Sequence, residues 1–166
     1  MAKTHISRAI DKAEDRCGQA GVKLTAKRKN VLATLLSSAV PLSAYEVAEL
    51  YRQSFDEVIP PMSVYRMLDF LQEENLAHKL SSTNKYIACS HIACDHQHET
   101  PQFLICDRCH RVSEIAIRNE TIQALRDSVQ AAGFFLSSPQ LELHGLCGSC
   151  KMEDPGARPR AGQRPA

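Results

Sequence analysis

Cys106-x-x-Cys109 and Cys147-x-x-Cys150 are two knuckles about forty residues apart. A two-residue spacer lets a tight turn aim both sulfurs at one point. Two such turns close a tetrahedral four-cysteine site of the kind that holds Zn2+. Both knuckles lie in turn-like sequence, Ile105-Cys-Asp-Arg-Cys-His110 and Gly145-Leu-Cys-Gly-Ser-Cys150. A site closed by four thiolates stabilises a fold and carries no activity of its own.

A second set of donors precedes and follows the first knuckle. His78, Cys89, His96, His98 and Glu114 offer nitrogen, thiolate and carboxylate groups suited to Zn2+, with His91 and Cys94 nearby. Taken singly they have ordinary readings. His78 alternates with Leu76 and Leu80 as a packed histidine would, and His96 and His98 stand in polar sequence. Taken together they form a candidate site joining two parts of the chain. An enzyme would use three of them, His78, Cys89 and His98, and keep a position open for water, with Glu114 as general base. No substrate-binding motif accompanies them, and no βαβ pattern of a thiol redox protein precedes either knuckle.

The elements that must position these groups follow from periodicity. Ile6, Ala9, Ile10, Ala13 and Cys17 share one face of a helix over 5–19, with Cys17 as a small buried hydrophobe. Thr25 heads a second helix with Val31, Leu32, Leu35 and Leu36 inward. Ser43-Ala-Tyr-Glu46 is a capping box that opens a third helix, to about residue 54. Pro60-Pro61 interrupts the chain, and Ser63 opens a fourth helix with Val64, Met67, Leu68 and Leu71 inward. Segments 76–80 and 85–89, joined at 81–84, read as a hairpin.

Helices ending in a hairpin form a winged helix-turn-helix, whose second motif helix enters the major groove of DNA. Strands at 103–106 and 112–117, a helix at 120–132 and a strand at 140–144 follow. The fold class is therefore α+β: an N-terminal winged helix-turn-helix domain, then a small α/β dimerisation domain with a four-cysteine zinc site. The expected boundaries are 1–89 for DNA binding, 90–101 for a linker, 102–150 for dimerisation and zinc, and 151–166 for a disordered tail. The second domain has little core of its own, so dimerisation would bury the rest.

The fourth helix carries Tyr65 and Arg66 at its start, opposite its apolar stripe. Arg pairs bidentately with guanine, and Tyr contacts phosphate or base. Ser63 either caps that helix or bonds a phosphate. The net charge is only +1, but residues 1–88 hold 12 basic against 10 acidic side chains while 89–150 hold 4 against 7. Lys23, Lys27, Arg28 and Lys29 concentrate that basic charge. The start lacks the apolar stretch of a secretory signal, no run is long enough to span a membrane, and seven cysteines with two knuckles fit a reducing cytoplasm.

Ser63-Val-Tyr-Arg-Met-Leu-Asp-Phe-Leu71 and Ile105-Cys-Asp-Arg-Cys109 resemble the ferric uptake regulator family. His78-Lys79, Ser82-Thr-Asn84, Tyr86 to Cys89 and His144-Gly-Leu-Cys147 resemble its zinc uptake regulator branch. The resemblance spans about residues 5–150. It implies a homodimeric repressor of zinc uptake genes, with two Zn2+ per subunit and a palindromic AT-rich operator in double-stranded DNA. It assigns the structural zinc to Cys106, Cys109, Cys147 and Cys150. It assigns the regulatory zinc to His78, Cys89, Glu114 and a linker histidine, His98 by distance to Cys106, with His96 the alternative. Tyr45 and Arg66 would read DNA, with Tyr65, Lys27 and Arg28 near the backbone. Glu49 and Arg52 would bridge two dimers on one operator. An iron- or peroxide-responsive regulator is the alternative within the family, and the thiolate of Cys89 favours zinc.

Overall fold

The computed structural model describes residues 2–93, 101–137 and 140–153. Cys94, His96, His98 and the tail beyond residue 153 lie outside the described residues. The chain divides into two compact units, residues 1–96 and 97–166.

The first unit opens with α1 (Ala2–Gln19), α2 (Ala26–Ser37), α3 (Ala44–Phe55) and α4 (Pro61–Glu73). Ala9, Ala13 and Cys17 of α1 are buried, as the periodicity predicts. They pack in one core with Val31, Leu32 and Leu35 of α2, Ala44, Val47 and Tyr51 of α3, and Val64, Leu68, Phe70 and Leu71 of α4. Strands β1 (Ala77–Leu80) and β2 (Lys85–Ala88) pair antiparallel, His78 opposite Ile87. Leu42, ahead of α3, bridges to Tyr86 and adds a third edge to this wing.

Two helix starts differ from expectation. Thr25 precedes α2 in extended conformation but makes no side-chain cap bond. α4 begins at Pro61, with Pro60 before it, so Ser63 is its third residue and not its cap. Proline at a first helical position has the right φ and lacks only an N–H that would be unbonded anyway. Tyr65 and Arg66 accordingly sit in the second turn.

The capping box of α3 is complete. The Ser43 N–H donates to Glu46 Oε2 at 2.6 Å, and the Glu46 N–H donates to Ser43 Oγ at 3.3 Å. Lys85 of the wing adds an ion pair to the same carboxylate at 3.0 Å. The Ser43 backbone bond, then the Ser43 hydroxyl and Lys85, pull the Glu46 carboxyl from 4.5 to about 2. A depressed carboxyl stabilises the fold above its unfolded value, and that contribution disappears as pH falls from 4.5 through about 2. Glu46→Ala should cost about 1 kcal/mol at neutral pH, and less once the carboxyl is protonated. Urea unfolding of both proteins across that pH range measures it.

In the second unit β3 (Gln102–Cys106), β4 (Val112–Ile115), α5 (Asn119–Ala131), β5 (Glu142–Gly145) and α6 (Gly148–Glu153) follow in order. The sheet order is β4-β3-β5, β3 antiparallel to β4 and parallel to β5. Gly133 ends α5 at φ 81°, a conformation that favours glycine. α6 is new relative to expectation: it continues from the second knuckle into the stretch read as tail. Among the described residues the buried core of this unit is Gln102, Phe103, Ile105, Cys106 and Cys150, and α5 buries none.

Candidate metal centres and DNA-reading surface

The four knuckle cysteines converge. One sulfur from each of Cys106, Cys109, Cys147 and Cys150 lies within 4.8 Å of the others. β3 ends at Cys106, and its parallel neighbour β5 ends just before Cys147, so the pairing of Cys106 with Gly145 brings the knuckles side by side. The Asp107 N–H donates to the Gly145 carbonyl at 2.8 Å, and the His110 N–H closes the first knuckle onto the Cys106 carbonyl at 2.9 Å. Asp107 Oδ1 and His144 Nδ1 meet at 2.9 Å, a further tie between the two.

The donor set fits zinc. The Cys147 N–H points at Cys106 Sγ at 3.3 Å, and Cys109 Sγ is 3.7 Å from Cys147 Sγ. Burial pushes the Cys106 thiol up, but backbone N–H groups of Cys109, Cys147 and Arg108 outweigh it and bring it to about 6. The Cys150 backbone lowers Cys147. Cys150 is pushed up to about 12, first by its bond with Cys147 and then by burial and the other two sulfurs. Four thiolates so close repel, and a divalent cation removes that repulsion. No disulfide links the cysteines among the described residues.

The second candidate group is assembled in part within the first unit. His78 on β1 faces Ile87, and Cys89 follows two residues later on the same face of the hairpin. A ring nitrogen of His78 lies within 4.8 Å of Cys89 Sγ. Cys89 is 1% exposed, and its N–H donates to the Leu76 carbonyl at 3.0 Å. Leu76 and Leu80 are fully buried and His78 is half-buried, with its ring Nε2 shielded from solvent. Glu114, in the second unit, is half-buried on β4 opposite Phe103.

The expected DNA-reading residues belong to α2, α3 and α4. Arg66 is exposed on α4. Tyr45, 66% exposed at the start of α3, meets the half-buried Tyr65 edge-on, with ring centroids 6.5 Å apart. Ser63 stands half-buried one turn before Arg66. Arg28 has other partners: its guanidinium lies 3.5 Å from the Phe70 ring centre and donates to the Lys23 carbonyl at 2.8 Å. Lys27 pairs with Glu57 at 2.5 Å. Glu49 and Arg52 pair within α3 at 2.6 Å.

No helix among the described residues is long and apolar enough to cross a membrane. Residues 19–144 match the Ferric uptake regulator family. The chain is 37% identical over 151 residues to the zinc uptake regulation protein of Escherichia coli (strain K12), covering 90% of this chain and 85% of that protein. Its fold is similar to a zinc uptake regulator complexed with zinc and DNA, with TM-score 0.77 and 32% identity over 90% of this chain and 97% of that one. It is also similar to holo XcZur, with TM-score 0.71 and 37% identity over 86% of this chain and 96% of that one. A four-cysteine cluster fit for structural zinc, an α+β fold with a winged hairpin and these likenesses agree: the chain belongs to the ferric uptake regulator family.

Proposed function

We propose that this protein is a zinc-responsive, DNA-binding transcriptional regulator that represses zinc uptake genes when zinc is replete. The observation that carries the reading is the His78–Cys89 pair, built on the wing of the same unit that bears Arg66. Metal occupancy at that pair acts directly on the DNA-reading unit. The likeness to regulators named for zinc, one of them complexed with DNA, supports the same conclusion.

Two Zn2+ bind each subunit. Cys106, Cys109, Cys147 and Cys150 hold the structural ion. His78 and Cys89 hold the regulatory ion together with His98, or His96 in its place, and Glu114. Bound zinc supplies one positive centre that donors from separate segments share. The functional regions run 1–89 for DNA binding, 90–101 for the linker, 102–150 for dimerisation and 151–166 for the tail. A second copy covers the second unit, a role supported by α5 burying nothing and by Leu104 and Leu143 being 41% and 44% exposed on neighbouring strands. The dimer presents two copies of α4 to a palindromic AT-rich operator in the cytoplasm, and two dimers share one operator.

Arg66 and Tyr45 read bases. Tyr65, Ser63, Lys27 and Arg28 face the backbone, with Arg28 acting through its packing on Phe70. Arg66→Ala should weaken operator binding by about 1–3 kcal/mol and relax base preference at one position of each half-site. Binding to a duplex library before and after substitution is the test, and an unchanged preference would remove Arg66 from the reading surface.

A further inference from the structure

We propose that Glu57 is an affinity-setting residue that holds Lys27 away from DNA phosphate and so weakens binding to every duplex. The inference rests on the DNA-binding reading above. Glu57 lies in the turn between α3 and α4, four residues ahead of the first residue of the DNA-reading helix. Its two oxygens have separate partners. Oε1 pairs with Lys27 Nζ at 2.5 Å. Oε2 accepts from the Tyr51 hydroxyl at 2.9 Å. Tyr51 is fully buried, and Asn30 of α2 donates to the same hydroxyl at 3.5 Å.

The carboxylate is thus anchored from the core side and turned toward a lysine on the solvent side. Lys27 and Glu57 side chains are 58% and 41% exposed, so a phosphate can reach the ammonium. It must first displace a carboxylate already in place, and that carboxylate also repels the phosphate. An exposed ion pair is weak enough for this exchange. The lysine then gains a phosphate but gives up a partner, so less net affinity and less salt dependence result than from a free lysine. In this regulator the consequence is lower affinity for any duplex, specific or not.

Glu57→Gln tests this, because the amide still accepts the Tyr51 hydrogen bond while the charge is gone. The zinc-loaded full chain is titrated with a short mixed-sequence duplex at several salt concentrations. Glu57→Gln should bind about three- to tenfold tighter, with the slope of log affinity against log salt steeper by up to about 0.9. The gain should shrink when Lys27→Gln is already present. Lys27→Gln alone should weaken binding. Unchanged or weaker binding by a Glu57→Gln protein whose melting temperature matches the wild type would overturn the proposal. So would an equal gain with and without Lys27, or no loss in Lys27→Gln alone. Failure of the wild type to bind any duplex would instead overturn the DNA-binding reading itself.

Discussion

Cys106→Ser should strip the structural zinc and unfold the second unit. Cys106 is 3% exposed, ends β3 and receives the Cys147 N–H, so the proposed ligand is also the point where the two knuckles meet. The buried core of that unit is five residues among those described, and α5 contributes none. So small a core cannot offset the conformational entropy of ordering its chain. Structural zinc supplies about 10–16 kcal/mol of apparent folding free energy in zinc-finger peptides, more than enough to decide the outcome here. Elemental analysis should show about one zinc fewer per subunit, and size-exclusion chromatography should show the dimer lost. Full zinc content with an unaltered melting temperature would show that the cluster is not a metal site.

Cys89→Ala should have the opposite pattern, with the structural zinc and the fold retained and the zinc response of DNA binding lost. Cys89 is buried beside His78 at the end of β2, and alanine there removes only a sulfur from a site 1% exposed. If occupied and empty states differ a hundredfold in DNA affinity, about 2.7 kcal/mol is at stake, and the variant should forfeit nearly all of it. His78→Ala should behave alike. A Cys89→Ala protein that responds to zinc as the wild type does would remove this pair from the regulatory site.

The knuckles were readable because ligand spacing is a local constraint: two residues between cysteines leave few backbone paths. The Ser43–Glu46 capping box and the wing hairpin were readable for the same reason. The start of α4 was not, since Pro60-Pro61 signals an interruption and a helical first position with equal force. α6 was hidden because Gly148 and Ser149 are poor helix formers, and the short helix gains its place from Cys150 being drawn into the cluster. Arg28 over Phe70 and Lys27 with Glu57 join residues far apart in sequence, which periodicity does not encode. With Lys29 also paired to Glu14 at 2.6 Å, two lysines and the arginine of the patch already have partners inside the protein.

The most direct test of zinc control is fluorescence anisotropy of an AT-rich palindromic duplex titrated with this protein while free zinc is buffered over many decades. The account predicts weak binding at the lowest free zinc and a rise in affinity of about a hundredfold as the second site fills, at constant occupancy of the four-cysteine cluster. By linkage the operator should tighten zinc binding by the same factor. Equal DNA affinity at all free zinc levels, with both sites shown to fill, would contradict it.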